Sequence, residues 1–249
     1  MKCGYIRDTW DCGETLEIEE KHTGRYGARG QKREKKKEPT PEDIARQNQW
    51  KRVRDLRRLT KWNFNTGDCW ITLTYQKDLR PSWEEMMKHM EKFIRQLRTA
   101  YKKYGWTLKY IWRPQIGKRG AIHIHILISA CSNTETRTEK LVREFWPHGN
   151  PNMKVVYDLK TGDLAEYIAT PLQEWEPEEA KNFHPSRNLI RKEPEKETVR
   201  RRSLINKQGR IREPKPPKGY YIDENSIEKG INPVTGYAYR RYILVKMQV

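Results

Sequence analysis

The chain has 249 residues, with 51 Lys and Arg against 33 Asp and Glu, giving a formal net charge of +18. No run approaches the ~18 consecutive apolar residues that cross a membrane, and the opening MKCGYIRDTWDCG carries no apolar export signal, so a cytoplasmic location is expected. Aromatic residues at 10 %, gathered in periodic segments, argue against wholesale disorder, while an apolar share of 35 % leaves one ordinary core with substantial appendages.

In chain order, Tyr5–Trp10 and Thr15–Glu19 read as a hairpin, with Asp11 and Gly13 supplying the turn. The basic run Arg29–Lys37 has no apolar face and reads either as a phosphate-binding arm or as a free tail. Thr40 and Pro41 mark a helix start, and the helix runs to about Trp62 with Ile44, Val53, Leu56 and Leu59 as a narrow apolar stripe. Residues 1–66 therefore form a basic N-terminal arm and helix.

Residues 67–175 carry the compact core. Cys69–Tyr75 alternates as a strand, and Ser82–Tyr104 repeats Met86, Met90, Phe93, Ile94, Leu97 and Tyr101 at helical spacing, opened by a Ser82/Glu85 capping box. Strands over Thr107–Arg113 and Ala121–Ser129 follow, joined by a turn at Gly117–Gly120. Then come a helix over Thr136–Trp146, a strand over Met153–Tyr157 and a short helix over Asp163–Thr170, stopped by Pro171. Residues 176–249 form a charged, Pro-rich extension with a late hairpin from Gly219–Ile222 and Tyr237–Leu244.

A charge of +18 exceeds what solubility needs and favours a polyanionic partner. Nucleic acid ranks ahead of a membrane surface, because no basic helix has a broad Leu/Phe face. Cys3, Cys12, Cys69 and Cys131 are scattered with no C-x-x-C pair, so they read as reduced thiols rather than a zinc site.

The residues with chemistry lie in the core. In the run Ile122–Ile128, His123 and His125 project to one side of a strand, ~7 Å apart along it, while Ile122, Ile124, Ile126 and Ile128 face the other. Two such imidazoles either share one metal ion or are ordinary half-exposed histidines. Gln115, just across the turn, offers a third ligand, and Thr72 and Thr74 present hydroxyls on one face of their strand. Tyr167 lies on the short helix. It either attacks a phosphodiester polarised by a divalent metal or packs with Leu164 and Ile168.

The order of a TLTY strand, Q-x-G-K-R-G-x-I-H-I-H-I-L and A-E-Y-I-A on a helix resembles the three motifs of HUH endonucleases. It is most similar to rolling-circle replication-associated proteins of Gram-positive bacteria and their phages or mobile elements. The resemblance implies an α+β fold: a ferredoxin-like HUH endonuclease core with a central antiparallel sheet and helices on one face, plus the basic N-terminal helix and an irregular C-terminal extension. It implies His123, His125 and Gln115 as ligands of a divalent metal, Mn²⁺ or Mg²⁺, and Tyr167 as the single nicking tyrosine. Such an enzyme cuts one DNA strand, keeps a 5′-phosphotyrosyl link and frees a 3′-hydroxyl, which starts rolling-circle replication or mobilisation of a plasmid, phage or integrative element.

Two positions depart from the family pattern. Gln115 replaces Glu, which makes all three ligands neutral and tilts preference toward Mn²⁺. Thr170 stands where relatives have a Lys that favours the phenolate, with Lys160 or Lys154 as substitutes. Trp112, Arg113, Lys118, Arg119, Thr72 and Thr74 are the expected DNA contacts, holding single-stranded or hairpin DNA of a replication origin. The chain has no nucleotide-binding G-x-x-x-x-G-K-[ST] loop, so any helicase is a separate host chain. The same residues leave two other readings, a non-cleaving single-stranded or hairpin DNA-binding protein of this fold and a basic RNA-binding or ribosome-associated protein.

Overall fold

The computed structural model describes residues 4–22, 38–158, 163–173, 175–177, 183–200 and 202–247. Along the chain these form β1 (Gly4–Asp11), β2 (Thr15–Lys21), α1 (Pro41–Asn63), β3 (Cys69–Thr74), α2 (Trp83–Lys103), β4 (Tyr110–Ile116), β5 (Ile122–Ile128) and α3 (Thr138–Phe145). They continue with β6 (Asn152–Val155), α4 (Asp163–Ile168), β7 (His184–Pro185), β8 (Glu195–Arg200), β9 (Tyr220–Ile231) and β10 (Ala238–Lys246). The fold is α+β, with two five-stranded antiparallel sheets and four helices among the described residues. Two compact units divide the chain: residues 51–190, and residues 1–50 together with 191–249. No helix among the described residues is long and apolar enough to cross a membrane. The basic run Arg29–Lys37, Lys160 and Cys3 lie outside the described residues, and Cys69 and Cys131 are free thiols.

In the unit of residues 51–190 the sheet order is β6-β3-β5-β4-β7. Its first face is made by Ile71, Leu73, Ile124, Ile126 and Ile128, all fully buried under α2 and α3. Helix α2 starts where Ser82 accepts from the Glu85 amide and Glu85 reaches back to the Ser82 amide, so both orphan amides are satisfied. From there Met86, Met90, Phe93, Leu97 and Tyr101 line the side facing the sheet, each contributing about 1.5–3 kcal/mol on burial.

Helices were expected on one face alone, and the second face corrects this. Ile111 and Leu127, both fully buried, form an apolar patch with Leu56 and Leu59 of α1 and with Ala165, Ile168 and Ala169 around α4. An apolar strip on that face has to be covered. Strand β4 is also displaced from the expected Thr107–Arg113. It runs through Pro114 because β7 pairs only with Ile111 and Trp112, so the missing Pro amide leaves no neighbouring strand short of a donor.

In the unit formed by residues 1–50 and 191–249 the order is β8-β1-β2-β10-β9. The expected hairpin at its start is present: Gly13, at φ +81°, turns the chain, and its amide donates to Asp11 Oδ1 at 2.7 Å. The C-terminal extension is not irregular. Its strands β8, β9 and β10 complete a sheet with that hairpin. Dense charge disguises these strands, because part of it pairs across the sheet. Glu20, whose side chain is fully buried, accepts from Arg7 Nε at 2.9 Å and from Arg240 Nε.

Candidate active site

The antiparallel register sets out the site in rows. Thr74, His123 and Gln115 lie side by side across β3, β5 and β4; Thr72, His125 and Arg113 form the next row, and Trp70, Leu127 and Ile111 the third. Strand parity puts all nine side chains on the face away from α2. On α4, Ala165 and Ile168 are buried in the third-row patch, which leaves Tyr167 between them 43 % exposed and able to reach along the face.

The reach is made. Tyr167 Oη is 2.7 Å from His125 Nε2 and 3.3 Å from Gln115 Oε1, and Gln115 Oε1 is 3.3 Å from His123 Nε2. The two imidazoles stand 5.2 Å apart, ring edge to ring face. His125 Nδ1 is held by Thr72 Oγ1 at 3.1 Å. That outer contact turns the His125 Nε2 atom inward. Trp70 stacks flat on His125, with centroids 5.5 Å apart, and meets Tyr167 edge-on at 5.8 Å.

Burial governs the charge state of these groups. It pushes His125 down to about 4, helped by His123 and Arg113, and also lowers His123, so both rings are neutral at physiological pH. Burial raises the Tyr167 phenol above its usual value, and the positive Arg113 works in the opposite direction.

Residues 68–173 match a family model of replication-associated proteins, the ORF2 type. The match supports a replication-associated, Rep-type protein. The family suggests a part in replication initiation and contact with DNA at an origin. No curated protein and no solved structure matches the chain.

Within this Rep-type segment, two of the residues expected to touch DNA are enclosed. Trp112 lies on the α2 face, 6 % exposed and stacked on His184 at 3.9 Å, so it offers no platform for a base. Arg113 is 1 % exposed. Its Nη1 donates to the carbonyls of Tyr167 (3.3 Å), Ile168 (3.0 Å) and Thr170 (2.5 Å), and its Nη2 donates to Pro171 at 3.4 Å. A basic residue in a strand looked like a phosphate contact; instead it clamps the C-terminal end of the tyrosine helix. Lys118 and Arg119 are exposed on the β4–β5 turn, open to the contact expected of them. Thr72 orients His125, while Thr74 Oγ1 donates to Asn150 O at 3.0 Å. Thr170 returns its hydroxyl to the Tyr167 carbonyl at 2.8 Å, and Lys154 is exposed on β6 in register with Trp70.

Sequence reasoning missed Trp70 and Glu176. Trp70 shares strand parity with Thr72 and Thr74, which was a usable signal. Glu176 is 8 % exposed. It accepts from the Ile116 and Gln173 amides at 3.2 and 2.8 Å and lies 4.0 Å from Arg113 Nη2. That tie, between the strand of Gln115 and the segment that follows the helix of Tyr167, leaves no local mark in sequence.

Among the described residues no group of three His, Cys, Asp or Glu side chains could hold a metal ion. The donor set to test is therefore two imidazoles and an amide. Ligands at ~2.1 Å that meet a metal at right angles stand ~3 Å apart, and Gln115 Oε1 and His123 Nε2, at 3.3 Å, are close to that spacing. With the His123 proton on Nδ1, these two atoms present lone pairs to each other, an arrangement that a cation relieves. That one pair has the spacing of two ligands of a divalent ion, and a donor set without a carboxylate would suit Mn²⁺ better than Mg²⁺.

Proposed function

We propose that the Rep-type segment is a DNA strand-nicking and joining enzyme that uses Tyr167 as its nucleophile. The observation that carries this reading is the convergence of the Tyr167 hydroxyl with His125 Nε2 and Gln115 Oε1, at 2.7 and 3.3 Å. His123, His125 and Gln115 would hold a divalent ion, which when bound polarises a phosphate and offsets charge building on it.

The chain's own residues then divide the work. Arg113 fixes the backbone under Tyr167 through four carbonyls and favours loss of the phenol proton. Trp70 restricts the phenol and the His125 ring to their present planes. The Tyr167 phenol gives its proton to solvent, its oxygen attacks phosphorus, the bond from phosphorus to the 3′-oxygen breaks, and that oxygen takes up a proton from solvent to leave as a 3′-hydroxyl. The 5′-phosphate remains on Tyr167, and the reverse step rejoins a strand. Lys118 and Arg119, exposed on the neighbouring turn, are placed to meet the backbone of a single-stranded or hairpin origin. In this reading the reaction starts rolling-circle replication or mobilisation of a plasmid, phage or integrative element, with any helicase supplied by the host.

The test incubates the protein with a pool of labelled single-stranded and hairpin oligonucleotides and Mn²⁺, and looks on denaturing gels for a covalent adduct. The expected result is an adduct that forms with the parent, needs the metal and vanishes in Tyr167→Phe. An adduct that persists in that variant would overturn the proposal. A parent that binds the hairpins but never forms an adduct would favour the non-cleaving DNA-binding reading.

A further inference from the structure

We propose that the turn of residues 202–218, in the unit built from the two ends of the chain, binds the phosphate backbone of duplex DNA. Arg202, Lys207, Arg210, Arg212, Lys215 and Lys218 are all exposed there, and no ion pair among the described residues engages any of them. The single acid in the stretch, Glu213, is already paired with Lys229. Uncompensated charge of this density is a site for a polyanion.

The turn is an ordered framework. The Asn206 amide donates to Arg210 O at 2.8 Å, and Asn206 Oδ1 accepts from the amides of Gln208 and Arg210 at 3.0 and 2.9 Å. Gly209, at φ +78°, closes the bend, and Ile205 pairs with Ile211. Both flanks are fastened to the sheet. Leu204 is 1 % exposed against Tyr5 and Ala238, and its amide donates to His22 Nε2 at 3.4 Å. On the other side the Arg212 carbonyl accepts from Arg240 Nη1 at 2.6 Å. Cations carried on a backbone already held in shape lose little further freedom on binding.

The composition selects the kind of nucleic acid. Residues 202–218 contain no aromatic side chain, so the turn has no platform on which the bases of a single strand could stack. Its cations suit phosphates, which a duplex presents at a fixed spacing of one charge per ~1.7 Å. This contact requires nothing of the nicking chemistry.

The test titrates the full chain and a Lys207→Gln/Arg210→Gln/Arg212→Gln variant against a fluorescent duplex of arbitrary sequence and against its single strand, over a range of salt. Because each phosphate contact adds about 0.9 to the salt slope, the variant is expected to show a duplex slope shallower by about 2–3, with about tenfold or greater loss of affinity at low salt. The loss on the single strand is expected to be smaller. A control that removes equal charge from α2, Lys92→Gln/Lys102→Gln/Lys103→Gln, is expected to keep duplex affinity within about twofold. Thermal melting checks that both variants fold as the parent does. Unchanged duplex binding in the first variant, an equal loss in the control, or an equal loss on the single strand would each overturn the proposal.

Discussion

The Tyr167 hydroxyl lies 2.7 Å from His125 Nε2, and the Trp70 ring braces both side chains at once. A phenol held by one indole and pointed at an imidazole is a positioned group, and it is still 43 % exposed. Tyr167→Phe keeps the edge contact with Trp70 and loses only the hydroxyl. The expected outcome is complete loss of covalent adduct, with a stability change within about 1 kcal/mol by urea unfolding and unchanged oligonucleotide affinity.

Changing Gln115 to Glu tests the neutral donor set. A carboxylate in place of the amide oxygen adds negative charge beside two neutral rings and favours a hard oxygen-seeking ion. Titration calorimetry is expected to show Mg²⁺ affinity of Gln115→Glu rising about tenfold or more, with a smaller gain for Mn²⁺. Equal gains for both ions would count against the ligand role of this position.

Acid should destabilise the unit of residues 51–190 through its histidines. His125 is pushed down to about 4 and His123 is lowered in the same sense, both by burial. The unfolded chain therefore binds more protons than the folded one below the ordinary His pKa of about 6.5. Stability held above that pH is expected to fall as the pH drops from about 6.5 toward 4, and His125→Asn should flatten the fall. Urea midpoints measured across that window check both expectations.

Arg113 and Glu176 act through the tyrosine helix. Removing the guanidinium takes one donor from each of four carbonyls and the buried cation from beside Glu176. Arg113→Ala is expected to cost about 3–5 kcal/mol. Arg113→Lys restores the charge near Tyr167 but not the fork, so it is expected to recover part of the stability and to leave nicking slow at every pH. Chemical unfolding together with a nicking pH profile separates the two effects.

Gly149 has a packing reason to be glycine. A Cβ placed there would lie 2.1 Å from the Thr74 carbonyl oxygen and 2.8 Å from its carbon. Both are backbone atoms of β3, next to the row of His123, and neither can swing aside. Gly149→Ala is expected to destabilise the fold by about 1–3 kcal/mol or more, measured by thermal or urea unfolding.

The parts of this molecule legible in sequence are those set by local periodicity. Alternation in Ile122–Ile128 placed both histidines opposite the isoleucines, and helical spacing found α2 with its cap. Gln115 was found as a ligand candidate but put at a strand end, because Pro114 looks like a terminator until the short reach of β7 is seen. Arg113 and Trp112 were read by residue type, whereas their surroundings decide their roles. One is occupied by the carbonyls of α4 and the other by His184. The late hairpin was legible and is present as β9 and β10. Strand β8 and the pairing of these strands with β1 and β2 were hidden, because the partners lie at the far end of the chain and no local pattern in 191–249 records a pairing with residues so distant.

That pairing has a consequence for how the protein comes to exist on the ribosome. Residues 51–190 are all synthesised before β8, β9 and β10, so this unit can fold while the hairpin of β1 and β2 still waits for the strands that flank it. Loss of the last strands by premature termination should strip the leading hairpin of its sheet and spare the tyrosine centre. The sheet of β8, β1, β2, β10 and β9 would then be lost from a molecule whose Tyr167 face is already assembled.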